Sequence, residues 1–388
     1  MVMSSSLPDP DHEALERSRQ LVARIRAAIV AAGGMLGFDA YMRMALYEPA
    51  LGYYSGPAAI FGRAGDFITA PEAGSLFAAC VARQCAAMVE HGDGIVEYGA
   101  GSGRLACDLL HHLDQAGSLP AYYCIVEPSA SLRARQRAAC AALPTALRSR
   151  VRWCDQHPEA GVRGVVIANE VLDAMPVERC IVAAGRWQEL TVALDAERLV
   201  WATRAYRGTS CDPRWASRLP DGYVCEANPV LAGWLTGMRA CLQRAVVLLA
   251  DYGYPRHEYL HATRVGGTLK CHYQHYVHDD PFVYPGLQDI TASVDFTGVA
   301  EQAVAAGFDV LGYTTQAHFL LDNDLPAVLA AAGGNAAAQY RAAQEAKLLL
   351  LPGGMGQTFK FMALGVGDAP PLAGFRHDER YRLDGFMP

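Results

Sequence analysis

From residue 94 onward, short apolar runs alternate with amphipathic stretches, and few folds accept that rhythm. GIVEYG at 94–99 reads as a buried strand, followed by a helix in RLACDLLHHLDQA. AYYCIVEP at 121–128 is a second strand, and SASLRARQRAACAAL a second helix. VRWC at 151–154, VRGVVIANE at 162–170 and RAVVLLADYG at 244–253 supply three more strands. Strands that are apolar throughout must be covered on both faces, and intervening helices do this over a parallel sheet. The chain has 388 residues, 52% of them hydrophobic, which is ample for such a core. The expected fold class is α/β, a Rossmann-like doubly wound sheet. GFDVLGYTT at 307–315 and QTFKFMALG at 357–365 would close it as an antiparallel pair.

Ahead of this core, residues 12–32 place Leu15, Leu21, Val22, Ile25 and Ile29 at helical spacing, ended by Gly33 and Gly34. A second helix starts near Phe38. The segment LYEPALGYYSGPAAIFGRAGDFITAPE at 46–72 holds too many Gly and Pro for a long element. Its aromatics favour a functional loop. Residues 178–203 alternate like an antiparallel hairpin. The chain therefore divides into N-terminal helices with a covering loop (1–90), a core (91–177 and 240–388) and an inserted β-containing substrate lobe (178–239).

The net charge of −7 argues against a nucleic-acid footprint and suits a cationic ligand or basic substrate. None of the eleven cysteines form a CxxC pair, and several sit inside apolar runs. They read as reduced core residues of a cytoplasmic protein. The N-terminal stretch carries Asp9, Asp11, Glu13 and Glu16 without an apolar run, unlike a secretory or mitochondrial leader. No run reaches about 18 apolar residues, so no membrane insertion is expected.

The turn from Glu97 through Gly99, Gly101 and Gly103 joins the first strand to the first helix. Its glycines let the backbone bend tightly and approach a ligand closely. At the end of the second strand, Glu127 can accept both hydroxyls of a ribose. A dinucleotide reading fits Gly101 to Ala106 as GxGxxA. S-adenosylmethionine (SAM) fits better, because Glu97 stands two positions before the first glycine. An acid there suits an ammonium and would repel a pyrophosphate. A purely structural turn is the third reading.

After the fourth strand comes Asn169-Glu170-Val171-Leu172-Asp173. In an open α/β sheet this strand adjoins the first at the topological switch point, so Asn169, Glu170 and Asp173 would face the crevice. Methyl transfer mainly needs the two partners positioned in line. An arginine acceptor also needs its guanidinium held and polarised, since its pKa lies above about 12. A carboxylate can do this bidentately, Glu170 first and Asp173 second. The alternative is that both acids cap the next helix.

These motifs, with LYEPALGYY, FGRAGDFITAPE, GTLKCHYQHYVHDDP, PGLQDITASVDF and GGMGQTFK, resemble the MidA family of SAM-dependent methyltransferases. The resemblance runs over residues 41–363. It implies a class I methyltransferase core with extra N-terminal helices and an inserted lobe. It also implies symmetric dimethylation of an arginine in a respiratory complex I subunit. Carried over, Gly65, Asp66, Phe67, Thr69, Pro71 and Glu72 would form part of the cofactor pocket. Gly99, Gly101 and Gly103 would hold the methionine end, Glu127 the ribose, and Asn169 with Glu170 the reaction centre. Three positions depart from the family: Ala100 where proline is frequent, Ala73-Gly74-Ser75 where larger residues are, and Ser293 where histidine is.

Other signals are weaker. His257, His261, His272, His275, His278 and Cys271 have spacings that can bind metal. Lys270, Asp279 and Asp280 among them favour a solvated or substrate-lining loop, so no metal is expected. Asp289, Thr291 and Asp295 are acceptor-pocket candidates or turn and cap residues. Asp251 either closes the crevice or ends a strand. Asp155, after the third strand, is a candidate acceptor for the adenine amino group. The expectation is a protein arginine methyltransferase using SAM on a protein partner such as a complex I subunit. Alternatives are a small-molecule methyltransferase and a SAM-binding assembly factor with little turnover. Oligomeric state stays open, a homodimer among the options.

Overall fold

A computed structural model describes residues 7–56 and 69–383. The chain forms two compact units. The described residues of the first lie within Met1–Ile68, Ala174–Val230 and Leu260–Ser293. Those of the second lie within Thr69–Asp173, Leu231–Tyr259 and Val294–Pro388.

The second unit is built on one sheet. Its strands are β1 (Gly94–Tyr98), β2 (Tyr122–Val126), β3 (Val151–Cys154), β4 (Val162–Asn169), β5 (Leu242–Tyr254), β6 (Asp309–Thr315) and β7 (Phe359–Val366). They run in the order β6-β7-β5-β4-β1-β2-β3, and a two-residue strand Val294–Asp295 joins the end of β5. β1 to β5 pair in parallel, with Val96 opposite Val166 and Cys124. β7 enters antiparallel between β5 and β6, the closing pair expected from the sequence. The order reverses between β1 and β4, and ligands bind at such a point in doubly wound sheets.

Every residue of β1 is buried, which explains its unbroken apolar reading. The helix Arg104–Gln115 lays Leu109, Leu110 and Leu113 on the same core as Ile95, Ile125 and Val165. Those leucines are fully buried, and truncating one to alanine would cost about 2–5 kcal/mol.

The first unit carries the helices His12–Ala31 and Phe38–Tyr47. Asp11 caps the former by accepting from the Ala14 N–H at 2.8 Å. Strands Glu178–Ala183, Arg186–Asp195 and Arg198–Ala205 form an antiparallel meander, the hairpin expected from their alternation. Trp201 packs between Phe38 and Phe282, with ring centroids at 5.0 and 4.8 Å. The division differs from the one drawn on sequence in several places: the N-terminal helices and residues 178–230 fall in one unit, residues 174–177 join them, and the helix Leu231–Cys241 belongs to the core unit. Residues 260–293, with their three-stranded sheet, group with the N-terminal helices and not with the core. Residues 69–90 do the reverse, because the apolar helix Leu76–Ala86 packs on the core sheet.

Candidate active site

The geometry of the second unit starts at the turn after β1. Gly99, Gly101 and Gly103 have φ of 64°, 53° and 83°. A side chain resists that left-handed region, and glycine does not. Packing adds a second demand. A Cβ on Gly103 would lie 3.1 Å from the Gln136 Cα, and one on Gly99 would lie 3.0 Å from the Val171 Cγ2. The turn is thus pressed between the helix Ala130–Cys140 and the loop that follows β4. It also feeds the N-terminus of Arg104–Gln115, the positive end of the helix dipole, which favours an anion such as a carboxylate. The Ser102 hydroxyl donates to Glu72, which brings the TAPE segment onto the turn.

Two acids flank the turn. Glu97 is buried beneath it and accepts from the Tyr123 hydroxyl at 2.8 Å. Burial pushes its carboxyl up to about 8, against the pull of that hydrogen bond. An ammonium brought near would favour its charged form. Glu127 follows β2 and is also buried. Burial raises its pKa, while the Ser129 N–H, Gln136 and Arg133 pull it down. Its Oε1 accepts from the Ser129 N–H at 2.9 Å and its Oε2 from Gln136 Nε2 at 3.0 Å.

β4 ends at Asn169, and Glu170 turns the chain with φ 53°, an uncommon conformation for a residue with a Cβ. Asn169 Nδ2 donates to Glu170 Oε1 at 3.2 Å. No helix follows before the strand Glu178–Ala183, so the helix-capping reading of Glu170 and Asp173 is corrected. Asp251 on β5 holds this loop. Its Oδ2 accepts from the Leu172 and Asp173 N–H groups at 2.9 and 3.2 Å, and its Oδ1 from the Tyr252 N–H at 2.9 Å. Burial, then the neighbouring Glu170, raises Asp251 to about 8, while the three N–H groups pull it down. Sequence reasoning left Asp251 between two roles; the structure makes it the anchor of the acidic loop.

Gly65, Asp66 and Phe67 lie outside the described residues. Thr69 precedes the short helix Ala70–Ala73, which contains Pro71 and Glu72. Asp155, beyond β3, is 68% exposed and sits 4.0 Å from Arg133. Asp295 caps the helix Phe296–Ala305 and pairs with Arg256 at 2.9 Å, so its acceptor reading gives way to a structural one. In the first unit, Asp289 accepts from the Tyr54 hydroxyl at 2.9 Å, Thr291 lies buried in a strand, and the Ser293 N–H donates to Thr268. Cys271 is buried opposite His278 on the neighbouring strand. Among the described residues, no group of three or more His, Cys, Asp or Glu could hold a metal. No described helix is long and apolar enough to cross a membrane.

Gln136 escaped sequence reasoning. It lies between arginines in a helix that reads as a charged surface stripe, yet it is fully buried and touches both the turn and Glu127. The one signal was spacing: Leu132, Gln136 and Cys140 recur every four residues and are the buried face.

These residues fit a sulfonium donor. The turn offers a backbone without Cβ atoms at three positions, which an amino-acid tail can approach closely, and Glu127 has lone pairs left for two ribose hydroxyls. The acidic loop stands against Gly99, at the switch point.

Comparison with known proteins agrees. Residues 80–314, more than half of the chain, match the family model described as "Putative S-adenosyl-L-methionine-dependent methyltransferase". A crystal structure from Burkholderia thailandensis, titled a "likely methyl transferase" and bound to S-adenosyl-homocysteine, is similar with a TM-score of 0.90 and 42% identity. That match covers 96% of this chain and 98% of the other. Protein arginine methyltransferase NDUFAF7 homolog, mitochondrial, of Drosophila melanogaster is 29% identical over 95% of this chain and 91% of its own. The NDUFAF7 arginine methyltransferase of Danio rerio is 27% identical, over 87% and 85%. With the 3-2-1-4-5-7-6 sheet, the glycine turn and these matches together, the chain belongs to the S-adenosyl-L-methionine-dependent methyltransferase family.

Proposed function

We propose that this methyltransferase acts on an arginine side chain of a protein, and that a complex I-type subunit is its substrate. The observation that carries the reading is the acidic loop: Glu170 is held in a left-handed turn at the switch point, on a segment anchored by Asp251 and packed on Gly99. The relatives named protein arginine methyltransferase, matched over most of the chain, support it.

The bound donor supplies an electrophilic methyl on a sulfonium. The chain's residues do the rest. The turn through Gly99, Gly101 and Gly103 lets the amino-acid tail approach the backbone closely, with Glu97 and Glu72 beneath and beside it. Glu127 accepts the ribose hydroxyls, and Asp155 lies at the outer rim for the adenine. Glu170 binds two N–H groups of the guanidinium and leaves the third nitrogen toward the methyl, as planar fork geometry allows. Asn169 fixes the orientation of Glu170 by donating to its Oε1. Asp173, on the same anchored segment, adds negative charge that favours a cationic acceptor. Each transfer releases one proton from the guanidinium, and the Glu170 carboxylate accepts it. The eleven free cysteines support a reducing compartment, which we take to be the cytoplasm.

The test is mass spectrometry of a recombinant complex I subunit of the 49-kDa type, incubated with enzyme and SAM. Dimethylation of one arginine is expected. Glu170→Ala should keep S-adenosyl-homocysteine binding and lose that mass gain. Methylation of a metabolite with none on the protein would replace this reading with the small-molecule one. Donor binding without turnover on any acceptor would make the chain a SAM-binding assembly factor.

A further inference from the structure

The contacts of Gln136 point to a residue that ties the two ends of the donor pocket together. Its side-chain Oε1 accepts from the Trp153 indole N–H at 3.1 Å. An indole can only donate, which fixes which way the amide faces. Nε2 is therefore turned to two acceptors, the Gly101 carbonyl at 3.1 Å and Glu127 Oε2 at 3.0 Å. Both N–H groups and the oxygen of one buried amide are used. The methionine-end turn, the ribose-end acid and β3 meet on a single side chain.

We propose that Gln136 is a positioning residue for the donor, setting the Glu127 carboxylate and the Gly101 peptide in one fixed relation. This rests on the reading of Glu127 as the ribose acceptor. The Ser129 N–H occupies one lone pair of Oε1 and Gln136 one of Oε2. Each oxygen keeps another, so the carboxylate presents two acceptors side by side, as vicinal hydroxyls require. Without Gln136 the carboxylate can rotate and loses a bond that favours its charged form. The charged groups facing it are Arg133 on the Gln136 helix and Glu97 on β1, and neither replaces a lost N–H donor. The close approach of Gly103 to the Gln136 Cα carries the same coupling through the backbone.

Calorimetry of the full chain with S-adenosyl-homocysteine tests this, from pH 5 to 8. Gln136→Leu should weaken binding about 10- to 100-fold, as for one hydrogen bond to a charged group. The pH below which affinity falls should move upward. Trp153→Phe leaves the Gly101 and Glu127 contacts in place and should change affinity less than about threefold. In a Glu127→Gln background, the Gln136→Leu effect should shrink to less than half. Gln136→Glu keeps the volume and serves if the leucine variant does not fold. Its acid can donate to Glu127 only when protonated, so its affinity should rise on acidification, opposite to the wild type. Wild-type affinity and pH profile in Gln136→Leu, simple additivity with Glu127→Gln, or a wild-type profile in Gln136→Glu would overturn the inference. Failure of the wild type to bind would instead overturn the donor-pocket reading itself.

Discussion

The turn after β1 and the loop after β4 both pass through left-handed backbone, one with glycines and the other with a glutamate. Gly99, Gly101 and Gly103 adopt it at no steric cost. Glu170 adopts it with a Cβ, at a cost of about 1–2 kcal/mol. The first arrangement needs only its own sequence. The second persists because Asp251, on a strand nearly eighty residues further along, takes the N–H groups of Leu172 and Asp173. In the proposed mechanism this strain aims the Glu170 carboxylate in one direction, toward the acceptor.

Replacing Glu170 by glycine sets stability against activity, and it carries the largest expected effect. Glu170→Gly should raise stability by about 1 kcal/mol, since glycine accepts φ 53° without penalty. The same variant should lower methyl transfer roughly 100-fold or more, the usual loss for a positioned carboxylate. Denaturant melts and single-turnover assays read the two numbers separately. A variant that is less stable than the wild type would remove the strain argument, and one that is equally active would remove Glu170 from the acceptor site.

Each region also contains one buried acid raised to about 8, Glu97 on the donor side and Asp251 on the acceptor side. A carboxyl whose folded pKa is raised keeps its proton in the folded state while the unfolded chain has lost it. Stability therefore falls as pH climbs from about 4.5 to about 8, and levels off above that. Glu97→Gln should flatten this slope in ligand-free protein by up to about 1.4 kcal/mol per pH unit. Asp251→Asn should flatten it too, but should also slow transfer, because an amide offers the loop one acceptor oxygen in place of two. Melting curves between pH 5 and 8 compare them. Parallel slopes for wild type and Glu97→Gln would show that Glu97 is already ionised in the folded chain.

How far the sequence could be read follows the same division. The β-α alternation from residue 94, the glycine turn and the closing antiparallel pair depend on local pattern, and each lies where the pattern put it. The place of Glu127 after the second strand was legible because that strand announces its own end. Asp251 was only half legible, since its partners lie far away in sequence and are backbone N–H groups that any residue has. Gln136 was hidden by Arg133, Arg135 and Arg137 around it, although its spacing from Leu132 and Cys140 marks the buried face. The assignment of 260–293 to the first unit rests on contacts such as those of Phe282 with Tyr41 and Trp201, which composition does not encode.

The smallest expected effect sharpens the comparison from the donor side. Gly103 has φ 83°, and a methyl there would meet the Gln136 Cα at 3.1 Å, a backbone atom that gives way only by a few tenths of an ångström. Gly103→Ala should therefore cost about 1 kcal/mol in stability, close in size and opposite in sign to Glu170→Gly. Its effect on S-adenosyl-homocysteine affinity should be about fivefold, because the turn shifts against the helix that carries Gln136. Melting and calorimetry on the two variants side by side decide the matter. If both substitutions changed stability in the same direction, left-handed strain would not be what separates these loops, and the packing of Val171 on Gly99 would have to account for the difference.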